Sequence, residues 1–494
     1  MTKNNILKPD GAKSNFTFQF LYQAVILVLP LIVSPYLTRT MGSNSLGVYT
    51  YTYTIAYYFV TFAMLGINRH GQRIIAQRRD SLQLLRKTFW SLYSVHFIAS
   101  LMSLFFYFIY VFLICKSNVT IAFVQSIYVF SAAIDVTWLF YGLEKFKLVS
   151  IRNAVVKILE TLFIFLLVKS PDDVAIYTLI MCISVCVGQL VMMPQIFRAI
   201  PPLRFSISDM REHIKPLFTL FAAVIAVTLY TVFDKTLLGI LATKDDVAFY
   251  EYSDKIVKIP RTFISIIGTV LFPRACKYAT DNNIKGLKRN ADYCLLVTSL
   301  IGFASVFGLA AVGELFAIEY YGDDFAICGK VIIYMSPVII IIGLGETIRQ
   351  CFIFPLGKDK AIVRILSLNA VANLILSALL IPVLGIYGAV VGTISAEIVG
   401  LTLEIWISRK YISLMKFLKN TVPYGVIGLI MFLCVRLVAH YYDGSLLALL
   451  IQVLVGVIIY CALVLLYGLF FDNELKNVIF SVLNGIKGKL RIKR

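Results

Sequence analysis

Three cations, Lys255, Lys258 and Arg261, recur at three-residue intervals within Val247–Leu271, a largely apolar stretch long enough to cross a bilayer. That spacing keeps them on one face of a helix. A cation at the bilayer centre costs about 3 kcal/mol or more, so such groups face a protein interior or a wet cavity and serve a function. A positive face at that depth suits an anion that hydrocarbon would exclude. Two alternatives compete. Asp254 stands four residues before Lys258 and can neutralise it, and long side chains can snorkel toward water. Lys258 lies about 16 Å along the helix from Val247, which makes snorkelling hard.

The other charges inside apolar stretches are balanced in sign. Lys157 and Glu160 are three apart and can pair along one helix. Glu397 lies about eleven residues into its own apolar stretch, near mid-depth. It is expected to meet the lysines of Val247–Leu271 across a cavity, as counter-ion or proton carrier. Asp254 is the second candidate for ion coupling. Glu346 and Arg349, with Lys157 and Glu160, are read as gate or secondary groups. Tyr49, Tyr51, Tyr53 and Tyr252 offer rings for stacking on sugars, or serve as interfacial belt residues. Pro260 beside the cations, Pro30 and Pro35 upstream, and Pro337 are expected to break their helices.

Enzyme chemistry finds little support. There is no Walker loop. The four histidines, His70, His96, His213 and His440, are scattered and form no triad. The pairs Asp172-Asp173, Asp245-Asp246 and Asp323-Asp324 read as solvated outer loops. The 9 cysteines include no Cys-x-x-Cys, so no metal site is expected. No cofactor is expected either; a transport cycle would draw on an H+ or Na+ gradient or the membrane potential.

The elements that must position these residues are membrane helices. Hydrophobic residues make up 59% and charged residues 15%, well off the roughly 45–50% and 25% of soluble domains. About fourteen stretches are long enough to span, including Phe16–Tyr36, Gly47–Ile67, Val119–Phe140, Ile151–Val168, Val331–Phe352 and Ile386–Ile407. The net charge of +19 sits mostly on one side, in loops such as Arg69–Lys87 and Arg274–Arg289 and in the tail after Lys487. By the positive-inside rule that side is cytoplasmic and holds both termini. The basic excess follows from this topology and from anionic lipid, so nucleic acid is not an expected partner. The tail Leu475–Leu490 has apolar residues at helical spacing and reads as a helix on the inner leaflet, or as a disordered basic tail.

The connector Pro194–Lys215 divides six spans from eight. Two echoes cross it. Tyr49, Tyr51 and Ile55 match Tyr250, Tyr252 and Ile256 at one offset, and Asn153-Ala154-Val155 matches Asn369-Ala370-Val371. Parallel repeats of this kind place a transport site at the lobe interface. The expected architecture is an all-α polytopic membrane protein with two pseudo-symmetric lobes around a central cavity: 1–213, 214–410, then two extra spans and the tail over 411–494.

Four segments resemble the Wzx-type oligosaccharide flippases of the multidrug/oligosaccharidyl-lipid/polysaccharide exporter superfamily. They are Pro35-Tyr36-Leu37-Thr38-Arg39-Thr40-Met41-Gly42 running on to Tyr49, Trp138-Leu139-Phe140-Tyr141-Gly142-Leu143-Glu144-Lys145-Phe146, Tyr250-Glu251-Tyr252-Ser253-Asp254-Lys255-Ile256, and Ile381–Thr393. The resemblance covers about the first 410 residues. It implies a MATE-like helical fold that alternates between inward- and outward-facing states in the bacterial cytoplasmic membrane. It also implies a substrate: an undecaprenyl-pyrophosphate-linked oligosaccharide repeat unit, moved to the outer leaflet by a monomeric transport unit. Membrane lipid, a polysaccharide polymerase and glycosyltransferases are the partners it implies. Lys255, Lys258 and Arg261 would then bind the pyrophosphate. Two sister functions fit less well: Phe16–Tyr36 lacks the arginines of the lipid II flippases and the acid of many drug/cation antiporters. An envelope polysaccharide polymerase would need a larger external loop than Gly313–Gly329.

Overall fold

The computed structural model describes residues 11–411, 414–441, 444–471 and 475–476, and every regular element among them is helical. Hydrocarbon favours this, because a helix satisfies each backbone N–H and C=O within its own segment. Among the described residues eleven helices are long and apolar enough to cross a membrane, or twelve with one bent pair. The difference from the expected fourteen is local. The first two expected spans run together, and the fifth is a helix that carries Arg152, Lys157 and Glu160.

The chain forms two compact units, residues 1–251 and 252–494. In the first, α1 (Ala12–Met64) is broken at Gly42, whose φ of 70° and ψ of 174° suit only a residue without a Cβ. The break falls there and not at Pro30 or Pro35, which the helix absorbs. Then come α2 (Ile67–Arg78), α3 (Leu82–Ile109), α4 (Val119–Ala133), α5 (Thr137–Gly142), α6 (Phe146–Leu167), α7 (Val174–Leu190), α8 (Met193–Ala199), α9 (Ile207–Leu241) and the first turns of α10 (Lys244–Thr280). Ile67, Ile75, Phe89, Trp138 and Phe140 form a dry core that locks α2, α3 and α5 together.

α9 begins at a reciprocal cap, in which Ser206 Oγ accepts from Asp209 N while Ser206 N donates to the Asp209 carboxylate at 2.8 Å. Arg78 pairs with Glu212 at 2.5 Å and Lys87 with Asp209 at 2.9 Å, tying this helix start to α2 and α3. The histidines are not all scattered, contrary to expectation. His70 Nε2 lies 3.1 Å from His213 Nδ1, and His213 Nε2 lies 3.2 Å from Ser91 Oγ. All three residues are buried, so the group fastens the packing of α2, α3 and α9.

The second unit holds the rest of α10, then α11 (Ile284–Phe316), α12 (Ile327–Met335), α13 (Pro337–Ile348), α14 (Asp359–Leu384), α15 (Ile386–Ser408), α16 (Leu414–Ala439) and α17 (Leu446–Phe470). The helices Asp323–Met335 and Pro337–Ile353 meet at a 40° bend before Pro337, where the sequence predicts a break. Pro260 behaves differently: α10 runs unbroken through Pro260 and Pro273. A proline deletes one backbone bond, and a packed membrane helix can absorb that locally. α16 and α17 pack on α11 through Met431, Val435 and Tyr460, whose hydroxyl donates to Leu300 O at 2.8 Å. Beyond its first two residues, the expected tail helix Leu475–Leu490 lies outside the described residues.

Candidate functional site

The cationic stripe starts from a rigid base. Tyr252 is buried with Tyr321 and Phe325 against it at 5.4 and 5.3 Å between ring centres. Tyr321 Oη donates to Tyr252 O at 2.9 Å, and Ser253 Oγ donates to Cys328 O at 3.4 Å. Lys255 lies with its ammonium 3.9 Å from the centre of the Tyr252 ring. Tyr252 is thus packed on all sides and leaves no face for a sugar, against expectation.

Asp254, next to Lys255 in the chain, gathers the other two cations. Its side chain is 8% exposed, accepts from Lys258 Nζ at 2.5 Å and sits 3.9 Å from Arg261 Nη1. Lys258 and Arg261 are 49% and 27% exposed, and both line a cavity of about 290 Å³. Thr262 and Ser265 extend that wall along α10; Gly343 and Glu346 of α13 form the other. The local pair that the spacing of Asp254 and Lys258 allows is therefore formed. A buried carboxylate holds two cations beside a cavity that they still face.

Glu346 belongs to a second network. Its Oε2 accepts from Arg349 Nη2 at 3.0 Å and from Nε at 3.3 Å. Arg349 Nη1 reaches Glu404 Oε1 at 2.5 Å. Glu404 is almost fully buried, and its Oε2 has no hydrogen-bond partner. The approach is close enough that a Cβ on Gly345 would stand 2.6 Å from that oxygen. Sequence reasoning missed Glu404. The signal was available: Glu397 and Glu404 are seven apart on α15, hence on one face of an apolar helix. Glu397 is itself buried, its Oε1 lacks a hydrogen-bond partner, and it forms no ion pair among the described residues, with Lys255, Lys258, Arg261 or any other cation.

In the first unit Lys157 Nζ meets Glu160 Oε1 at 2.5 Å, as their spacing predicts. Arg152 donates to Gly188 O at 2.7 Å and Gln189 Oε1 at 2.8 Å, joining α6 to α7. Lys235 pairs with Glu251, and Tyr250 Oη donates to Asp234 Oδ2 at 3.0 Å. Tyr49, Tyr53 and Tyr57 form a stacked ladder, and Tyr128 stacks on Tyr53 at 5.2 Å. Among the described residues no group of three or more His, Cys, Asp or Glu side chains is placed to hold a metal ion.

A family model described as polysaccharide biosynthesis protein matches residues 12–279. The chain belongs to that family. Among curated relatives, a protein named as a candidate O-antigen transporter in Shigella dysenteriae is 25% identical over 391 residues, covering 78% of this chain and 97% of that one. A Haloferax volcanii protein named as a candidate low-salt glycan biosynthesis flippase is 23% identical over 259 residues, 51% of this chain and 53% of that one. The fold is similar to the lipid II flippase MurJ in an inward closed conformation, with a TM-score of 0.77 at 16% identity, covering 92% of this chain and all of that one. An inward-facing multidrug resistance MATE transporter gives 0.58 at 12% identity, with 83% and 99% covered. This family member shares the membrane fold of transporters of the multidrug/oligosaccharidyl-lipid/polysaccharide superfamily, and its relatives are named as transporters and flippases rather than enzymes.

Proposed function

We propose that the protein flips an undecaprenyl-pyrophosphate-linked oligosaccharide repeat unit from the inner to the outer leaflet of the bacterial cytoplasmic membrane. Lys258 and Arg261, facing the 290 Å³ cavity from a membrane helix, are the observation that carries the reading. A pyrophosphate brings roughly two to three negative charges, and each charge-assisted hydrogen bond to it contributes about 1.5–3 kcal/mol. Asp254 serves as the resident counter-ion: it holds Lys258 and Arg261 while the site is empty and yields them to the arriving phosphates. Lys255, capping Tyr252, adds positive potential from the turn behind. The lipid tail stays in the bilayer while the head group crosses. Access to the site alternates between the two faces of the membrane, with both termini on the cytoplasmic side.

Asp254 and Glu397 are the groups that would couple transport to an H+ or Na+ gradient or to the membrane potential. Glycosyltransferases would supply the substrate, and a polysaccharide polymerase would consume it. A drug/cation antiporter would want an acidic cavity, which the Lys258 ammonium and the Arg261 guanidinium oppose. Replacing Lys258 with Ala should abolish surface polysaccharide while leaving membrane insertion intact; normal polysaccharide from that variant would defeat the proposal.

A further inference from the structure

A second pair of cations stands in the first unit. Arg69 and Arg73 stand four apart on α2, on one face of the helix. Both are exposed. They line a cavity of about 410 Å³ with Gln72, opposite Tyr141, Gly142 and Glu144. Their neighbours in the same basic segment are all engaged. Arg78 holds Glu212 and Thr88, Arg79 holds Glu144 at 2.8 Å, Arg86 donates to Pro201 O and Pro202 O, and Lys87 holds Asp209. Arg69 and Arg73 have no ion pair or hydrogen bond among the described residues. Like charges four apart on a helix repel, so folding gains nothing from leaving this pair uncompensated.

The far wall is fixed. Glu144 adopts a left-handed φ of 58°, unusual for a residue with a side chain. Asn15 Nδ2 donates to Glu144 O at 2.7 Å, and Lys145 N donates to Phe140 O at 2.8 Å. The Glu144 carboxylate is paired with Arg79 rather than with Arg69 or Arg73. Two guanidinium groups four apart on one helix face each offer a planar bidentate donor fork, which suits phosphoryl oxygens.

We propose that Arg69 and Arg73 form a docking site for the phosphoryl head group of a membrane lipid. It lies at the end of the helices that the basic loops assign to the cytoplasm. This deepens the flippase reading and rests on it for the site's purpose: a diphosphate-bearing lipid would be held here before entering the helices. The same chemistry would also hold the phosphodiester of an anionic bilayer lipid.

The test uses the full chain in phosphatidylcholine nanodiscs, in a K258Q/R261Q background that removes the site on α10. Inorganic pyrophosphate is titrated calorimetrically, with and without R69Q/R73Q. The Gln pair should weaken binding roughly tenfold or more, and R69K/R73K only a few-fold, because lysine keeps the charge and loses the fork. A second arm measures phosphatidylglycerol retained on the purified protein by native mass spectrometry. Weaker pyrophosphate binding identifies a diphosphate head group; loss of retained phosphatidylglycerol alone identifies an anionic bilayer lipid. If R69Q/R73Q changes neither, the site does not exist. Because Lys258 and Arg261 are already replaced, that result would leave the transport reading standing. Transport by K258Q/R261Q would remove Lys258 and Arg261 from the transport path without touching this site.

Discussion

The helix segments that open at Tyr49 and at Tyr250 share one register and differ in what they carry. Tyr51 and Tyr252 align, and each ring is capped by a lysine ammonium, Lys244 at 3.3 Å and Lys255 at 3.9 Å. From there the faces diverge. In the first unit Thr52 and Thr54 return their hydroxyls to Val48 O and Thr50 O, while Tyr53 and Tyr57 stack. At the same offset the second unit has Asp254 for Tyr53, Lys258 for Tyr57 and Arg261 for Val60. One face is closed by aromatic packing. The other is ionic, with a single buried acid for two cavity-facing bases. The capped tyrosine is what the fold repeats, and the charge is an addition to one copy.

That contrast is open to attack, and the sharpest blow falls on sign. Lys258→Glu should reduce surface polysaccharide by roughly tenfold or more, whereas Lys258→Arg should stay within about threefold, since a charged hydrogen bond is worth about 1.5–3 kcal/mol. Equal loss in both would mean that shape, not charge, matters there. Next comes the network that supports the cavity wall. Arg349→Leu leaves Glu346 and the buried Glu404 without their cation and should lower stability by about 3–5 kcal/mol, read as thermal unfolding in detergent. An unchanged melting temperature would show that those acids have other partners. The smallest effect belongs to the aromatic face. Tyr53→Phe removes only a 3.4 Å contact with Tyr128 Oη and should cost less than about 1 kcal/mol with transport retained. A transport defect there would give the first unit a chemical role as well.

Much of this was legible in the sequence, because much of it is local. Apolar length gave the helices, spacing of three and four gave Lys157–Glu160 and Lys258–Asp254, and Pro337 gave the bend. What stayed hidden depends on distant parts of the chain. Arg349 and Glu404 are 55 residues apart, and His70 and His213 are 143 apart. No periodicity joins such residues; only helix packing does. The breaks were misplaced for a related reason. A proline signals a lost hydrogen bond, which a packed helix can tolerate at Pro260, while Gly42 breaks α1 through backbone freedom that composition does not advertise. Tyr252 looked like a sugar platform until its neighbours Tyr321 and Phe325, far along the chain, covered it.

The central claim is that Lys258 and Arg261 carry a pyrophosphate head group through the membrane. Its most direct measurement is flipping of a fluorescent undecaprenyl-pyrophosphate-linked oligosaccharide by purified protein in proteoliposomes. The wild-type chain and K258R should move it to the opposite leaflet, and K258Q/R261Q should not. Movement at the wild-type rate by K258Q/R261Q would contradict the account.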